Sequence, residues 1–497
     1  MYDVTIIGYG PVGAMLAALL GAKGRKVLVV ERDTDVYPLP RAVHMDHEVF
    51  RLISLVNADK AVMDISRPTA TYDFETADGD LLMGFAPPKE RAPTGYPWSN
   101  IFHQPTLEKA IRADVECHPS VDVRLGIEFM SYDASYADHV KVTLSDDPDN
   151  PVETRYLVGC DGGRSPVRRQ AGIGMDDLDF NEPWVVVDVL LAEGMDILHE
   201  ASRQICDPRR PVTSIPIGHG RHRWEFMLLD DEVERDMTKP ENLEKLIAPQ
   251  LPDGVTTAQI EVERSAVYTF HGVFAKKWRE GRVLIAGDAA HQMPPFMGQG
   301  LCSGVRDATN LAWKLDAVLA GDASESLLDT IQPEREPQIR FITETAIGMG
   351  QVVCTHDVEQ AAARDKEMCV GKREDRIGEI PPLPPVSSGG RDFPNAGVPF
   401  SRDKGLDSAA VYQPVLVVRS KDDLPPAAET AIVRGLHIAW LEGEGAIADP
   451  DGFVRDQLAN AQALLARPDK IIFGTGDVRE LLSEYAGYLG SKTRAAA

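Results

Sequence analysis

The sequence predicts an α/β protein: a doubly wound frame of parallel strands, interrupted by an antiparallel sheet and followed by a small α/β domain. The chain opens on a short apolar run, a glycine-rich turn and a helix-compatible stretch. Residues from about 184 to 271 are β-rich with little helix, and a Pro/Gly/Ser-rich stretch at 379–404 sets off residues 405–497. At 497 residues the chain exceeds what one core usually supports, so several domains are expected.

Residues 2–7 (YDVTII) and 26–31 (KVLVVE), with a helix from Pro11 to Lys23 between them, read as a βαβ unit with buried parallel strands. Gln104-Pro105 opens another helix, because Leu107, Ala110, Ile111 and Val115 recur at helical spacing. The strand from Arg155 to Cys160 ends in GCDGG, and WVVVDVLL, RWEFMLL and AVYTF then read as antiparallel strands, with one helix near 241–249. RVLIAGD (282–288) restores α/β character and precedes a long helix from about Gly300 to Ala320. Residues 379–404 form a linker or an extended wrap. Beyond them VLVV, LHIAWLE, a helix near 452–466, KIIFGTG and a helix near 477–489 form the last domain. The expected boundaries are 1–175 for the first part of the nucleotide-binding domain, with some of 70–103 joining the inserted sheet. Residues 176–275 form the sheet domain, 276–378 the return of the frame, 379–404 the linker and 405–497 the final domain.

Fifty-two basic against 77 acidic residues give a formal charge of -25, which disfavours nucleic acid and anionic membranes. No apolar run approaches the roughly 18 residues of a membrane span, and a strand-like run at the start leaves no export signal. The six cysteines form no C-x-x-C pair, so reduced thiols and a cytoplasmic location are expected. No metal site is expected.

Gly8-Tyr9-Gly10-Pro11-Val12-Gly13 follows a strand, opens a helix and precedes Glu31 at the end of the next strand. Gly8 permits the tight turn, Gly10 lets a pyrophosphate approach the backbone, and Gly13 lets helix and strand pack closely. The helix N-terminus stabilises phosphate charge, while Glu31 accepts from ribose hydroxyls and disfavours a 2'-phosphate there. A second constellation lies at 282–315, where a strand delivers Gly287-Asp288, a stiff Pro294-Pro295 segment follows, and Gly298-Gln299-Gly300 opens the long helix. This suits a flavin: Asp288 can accept a ribityl hydroxyl, and the N–H groups of Gly300 and Leu301 can stabilise charge on the reduced ring.

With Asp161-Gly162 added to these two, the chain resembles the group A flavoprotein monooxygenases, the para-hydroxybenzoate hydroxylase family, across roughly residues 1–345. ERDTDVYPLPRAVHMDHEVFRL (31–52), RWEFMLL (223–229) and the MPxxxGQG segment look most similar to the 3-(3-hydroxyphenyl)propionate hydroxylases within that family. The resemblance implies a Rossmann-like FAD-binding domain with an inserted antiparallel substrate sheet and a C-terminal thioredoxin-like domain. It implies that Glu31, Arg32, Arg41, Gln104, Asp288 and the backbone from Gly298 to Cys302 bind FAD, that Asp161 serves both FAD and NAD(P)H, and that Pro295 lies beside flavin and substrate. Cys302 departs from the Asn usual in relatives, which puts flavin contact through that side chain in doubt. The implied reaction consumes NADH or NADPH and O2, hydroxylating a phenol ortho or para to its hydroxyl through a flavin C4a-hydroperoxide. Only one βαβ fingerprint is present, so the pyridine nucleotide docks transiently, and a small aromatic substrate and a homodimer are the expected partners.

In the inserted sheet, alternation puts Arg223, Glu225 and Met227 on one face and Trp224 and Phe226 on the other. Arg223 either binds a substrate carboxylate or pairs with Glu225. Tyr268, His271, His44 and His47 are candidate bases for the phenol proton or else structural residues, and His291 reads as structural. Oxygen insertion beside a ketone, as in polyketide-tailoring relatives, and FAD-dependent electron transfer without oxygenation are the alternative functions.

Overall fold

The computed structural model describes residues 1–230, 232–387 and 393–490. Five parallel strands, in the order Val283–Ile285, Val152–Gly159, Tyr2–Ile7, Val27–Glu31 and Val121–Leu125, form the frame. The strands near its centre are apolar without alternation because both faces are covered: Val4, Ile6, Val27, Leu28 and Val29 are fully buried. Helix Pro11–Ala22 packs between this sheet and the long helix Gly300–Ala320.

The second sheet has nine strands, centred on two long antiparallel ones, Met175–Leu191 and Ile260–Ala275. Arg221–Met227, Val212–Gly218 and Ser202–Ile205 extend it, then Tyr72–Glu75 and Leu81–Ala86 join from the earlier chain. Trp224 and Phe226 bury their face against Leu243 and Ile247 of helix Pro240–Ile247. The opposite face, bearing Arg223 and Glu225, looks into the cavity described below.

Residues 379–404 are a wrap where described; 388–392 lie outside the described residues. Ile377–Glu379 adds a parallel strand to Leu81–Ala86, Gly397 N–H donates to Ile472 O and Phe400 N–H to Lys470 O. In the last domain His437–Glu442 runs parallel to Val415–Ser420, which pairs antiparallel with Ala463–Ala466, itself antiparallel to Ile472–Gly476. The helix expected over 452–466 is corrected here: it spans Phe453–Leu458, ends at Ala459 with φ +48°, and gives way to the strand. Ala463–Ala466 is wholly buried between two strands, and that pairing overrides the helix preference of alanine and leucine.

This domain shares its core with the frame, Leu416, Phe473 and Leu481 belonging to the same apolar cluster as Leu315, Leu327 and Ile331. Buried Glu334 ties the two together, pairing ionically with Lys314 at 2.9 Å and Arg467 at 3.0 Å and accepting from the Tyr488 hydroxyl. Among the described residues no helix is long and apolar enough to cross a membrane.

Candidate active site and cofactor cradle

A cavity of about 1990 Å³ separates the parallel frame from the nine-stranded sheet. Gly8, Gly10, Glu31, Arg32, Arg41, Gln104, Asp161, Asp288, Pro295, Gly298, Gly300 and Leu301 all border it, and so do His44, Arg223 and Tyr268. Residues spread over most of the first 300 positions are therefore brought to one site.

The first turn is built by contact. Gly8 has φ +100°, and a Cβ there would lie 2.3 Å from Cys160 O; a Cβ on Gly13 would lie 2.0 Å from Gly8 O. A Cβ on Gly10 would meet nothing within 4 Å, so that glycine leaves open space rather than filling a contact. Gly13 does not border the cavity, and its role is the close packing expected of it. Glu31 accepts from Tyr9 N–H at 2.7 Å and from Asp33 N–H at 3.0 Å, which fixes its carboxylate at the end of its strand.

Val12 joins this turn to the second one. A Cβ on Gly287 would come within 2.9 Å of the Val12 side chain and one on Gly304 within 2.6 Å, so the glycines let the two helices and the Gly287-Asp288 turn close on one another. Arg168 adds a strap, donating to Ala289 O at 2.9 Å and Gly163 O at 2.8 Å. Asp288 is exposed to the cavity and makes no side-chain hydrogen bond among the described residues. Asp161 accepts from Val167 N–H through Oδ2, while its buried Oδ1 has no protein partner.

Helix Gly300–Ala320 begins without a side-chain cap, and a Cβ on Gly300 would meet only Met293 at 4.0 Å. Its first N–H groups remain available to an anionic ligand edge. The preceding turn is held from below by residues the sequence reading missed: Gln299 and Arg306 both donate to Asp46 Oδ2, at 3.0 and 2.7 Å, and Arg306 also reaches Glu48 at 2.9 Å. Burial would raise the Asp46 pKa, but Arg306 holds it well below the usual carboxylate range. Behind Pro295, Phe296 packs against Phe180, Trp184 and Phe270 with ring centroids 5.9–6.2 Å apart, giving the cavity a dry aromatic wall.

Several expected roles change. His44 lies against Gly298, its Nδ1 3.1 Å from Gly298 O and its Nε2 2.8 Å from Ser99 Oγ. Burial lowers its pKa, and the neutral ring must donate from Nδ1 to the carbonyl, so it props the turn instead of standing free as a base. Cys302 is fully buried, with Sγ 3.9 Å from His44 O and from Gly298 O. It does not border the cavity, in keeping with the doubt about a flavin contact through that side chain; the contact implied for this residue was through its backbone. Gln104 spends its amide on protein, accepting from Arg41 N–H and Ala42 N–H and donating to Glu108.

Arg223 does not stand free for a substrate carboxylate, and its ion pair with Glu225, at 3.9 Å, is longer than its pair with Asp188. Asp188 is its cross-strand neighbour and accepts from Nε at 2.7 Å and Nη2 at 2.9 Å. Arg264, flanking Asp188 on the other side, approaches it at 3.3 Å, and both arginines donate to the Pro40 carbonyl at 2.6 Å; Arg223 also donates to Arg41 O. The triad thus pins the 40–41 segment to the cavity-facing sheet. Tyr268 accepts from Arg264. His47 pairs with Thr94, His271 with Asn181 and His291 with Asp307, the last as the structural residue expected.

The donor set fits a flavin dinucleotide: two glycines with open space, two uncapped helix starts, an unpartnered Asp161 oxygen and a free Asp288 carboxyl surround one cavity. Residues 1–346 match the family model described as FAD binding domain. The chain is 35% identical over 505 residues to a probable NADH-specific resorcinol 4-hydroxylase of Rhodococcus jostii (strain RHA1), covering 96% of this chain and 93% of the relative. It is 34% identical over 481 residues to a 3-(3-hydroxy-phenyl)propionate/3-hydroxycinnamic acid hydroxylase of Mycobacterium sp. (strain JLS), covering 95% and 82%. The flavin-dependent monooxygenase PieE, solved with FAD and substrate, matches 98% of this chain and 99% of its own with a TM-score of 0.78, and at 20% identity that likeness bears on the fold alone. The chain belongs to the FAD-binding flavoprotein aromatic hydroxylases.

Proposed function

We propose that this chain uses NADH to reduce bound FAD and O2 to hydroxylate a substituted phenol ortho or para to its existing hydroxyl. The observation that carries the reading is that the glycine turn, the Asp288 turn and the charged face of the nine-stranded sheet border a single cavity. Bound FAD supplies the redox and oxygen-transfer chemistry. Gly10 admits its pyrophosphate to the backbone, Glu31 accepts from the ribose, Arg32 and Arg41 flank it, and Asp288 accepts from the ribityl chain. The N–H groups of Gly300 and Leu301 stabilise negative charge on the ring edge. Pro295 and the aromatic wall behind it hold the substrate ring and exclude water.

NADH is favoured over NADPH by the specificity named for the Rhodococcus relative, and the two relatives together bracket the substrate as a dihydroxybenzene or a hydroxyphenyl carboxylate. We read residues 1–175 with 276–378 as the FAD domain, 176–275 as the substrate sheet and 405–497 as thioredoxin-like on its strand order. Without a C-x-x-C pair, that last unit serves packing or self-association. The test is NADH oxidation and O2 consumption with a panel of substituted phenols. A phenol that stimulates both and yields a product one oxygen heavier supports the reading; no stimulation and no oxygenated product from any phenol overturns it.

A further inference from the structure

Glu225 borders the cavity, and its one ion pair among the described residues, with Arg223 at 3.9 Å, is beyond hydrogen-bond reach. Its side chain is 6% exposed, and among the described residues it accepts no hydrogen bond. The nearest cation, Arg223 Nη1, is 3.9 Å away and donates instead to Arg41 O, while the rest of that guanidinium serves Asp188 and Pro40 O. The neutral groups on the same patch of sheet satisfy each other. Thr213, opposite Glu225 in register, donates to Gln204 Oε1 at 2.8 Å, and Gln204 Nε2 donates to the Tyr72 hydroxyl at 2.7 Å. A buried carboxylate lacking any donor is costly, so the site is completed by a donor that arrives from the cavity.

The charges around it restrict what that donor belongs to. The Nη groups of Arg223 and Arg264 are already shared between Asp188, backbone carbonyls and the Tyr268 hydroxyl, and the one Arg264 nitrogen without a partner, Nε, is buried, so neither cation is presented to an anionic tail. Glu225 itself repels a second carboxylate. A ring hydroxyl meets neither obstacle. We propose that Glu225 receives the hydroxyl of the aromatic substrate and acts as its base, and that the pocket takes an uncharged, hydroxylated ring rather than one with a carboxylate tail.

This rests on the hydroxylase reading and names its substrate class. The phenol O–H bond breaks, the proton forms an O–H bond on the Glu225 carboxylate, and the electron pair stays on the ring oxygen, enriching the ortho and para carbons. After oxygen transfer the carboxylic acid returns the proton to the product. Burial raises the Glu225 pKa to about 7 against the pull of Arg223 and Arg264, with Asp188 adding to the rise; Tyr72 is the further titratable group that faces it among the described residues. The base is therefore active above neutrality and closer in proton affinity to a phenol than an ordinary carboxylate is.

The holoenzyme of the wild type and of Glu225→Gln and Glu225→Asp is assayed across pH with resorcinol and with 3-(3-hydroxyphenyl)propionate. FAD content and Tm serve as folding controls. Wild-type kcat/KM for resorcinol should rise through pH ~7 and exceed that for the carboxylated phenol by at least about tenfold. Glu225→Gln should lose roughly 10²–10⁴-fold with resorcinol and shift its rise toward the phenol's own ionisation near about pH 10, with Glu225→Asp recovering part of the rate. A Glu225→Gln enzyme with the wild-type rate and pH profile, or a wild type that prefers the carboxylated phenol, overturns the proposal while leaving the hydroxylase reading intact. A wild type that oxygenates no phenol overturns both.

Discussion

Asp188→Asn tests how the cavity's two halves are held together. Asp188 is 2% exposed between Arg223 and Arg264, each 3% exposed, and accepts at 2.7, 2.9 and 3.3 Å. Removing its charge leaves two buried guanidinium groups hydrogen-bonded only to carbonyls, the Tyr268 hydroxyl and the remaining amide, with Glu225 at 3.9 Å from Arg223 as the nearest carboxyl. Breaking a buried ion pair from one side costs roughly 3–5 kcal/mol, and asparagine keeps one acceptor oxygen, so about 3 kcal/mol is expected. At roughly 2–4 °C per kcal/mol for a domain of about 150–250 residues, Tm should fall by around 6–12 °C in differential scanning calorimetry of the FAD-free protein. FAD should also bind more weakly, since the 40–41 segment is held by the same two arginines. A Tm within about 2 °C of wild type would refute the reasoning, because the triad would then carry little net free energy.

Gly10→Ala should leave the apoprotein's Tm unchanged, since its Cβ enters open space, yet weaken FAD binding by at least about tenfold; Gly13→Ala should instead lower the unfolding free energy by on the order of 3 kcal/mol, its Cβ being forced onto Gly8 O. Calorimetric FAD titration and thermal unfolding separate the two outcomes. His44→Asn should weaken FAD binding about fivefold for the loss of a roughly 1 kcal/mol hydrogen bond to Gly298 O, while the pH profile of turnover stays as in wild type. A displaced profile would restore His44 as a base. Burial would raise the Glu334 pKa, but Arg467 and Lys314 hold it at about 2, below its ordinary 4.5, so its stabilisation is complete above pH ~4.5 and lost as pH falls toward 2. Acid titration of unfolding should therefore show a shallower decline over that window in Glu334→Gln, and an unchanged decline would count against the network.

The two cofactor turns were legible because backbone geometry there admits only certain residues: the close approach of Gly8 and Gly13 and the turn at Gly287 each demand glycine, and the demand survives in the sequence. The antiparallel insert was legible through alternation, which assigned Trp224 and Phe226 to the apolar face and Arg223 and Glu225 to the cavity. Pairing was not. Residues two apart on a strand are separated by roughly 7 Å, so Arg223 reaches across the register to Asp188 more readily than along its own strand to Glu225. The charge interrupting WVVVDVLL was the available signal for Asp188, but its two partners are 35 and 76 positions away. The same holds for Asp46 and Arg306, 260 positions apart. Where the Cys302 side chain would point was not legible, because the phase of a helix relative to its neighbours, which turns Sγ toward His44, is set by packing. The strand Ala463–Ala466 reads locally as helix and becomes a strand only through its two neighbours.

The central claim is that one FAD spans the glycine turn and the Asp288 turn of a single cavity. A crystal structure of the FAD complex tests it most directly. It should place the pyrophosphate against Gly10 and the isoalloxazine edge at the N–H groups of Gly300 and Leu301, facing Glu225 across the cavity. FAD bound elsewhere, or with its ring turned away from the start of helix Gly300–Ala320, would contradict the account.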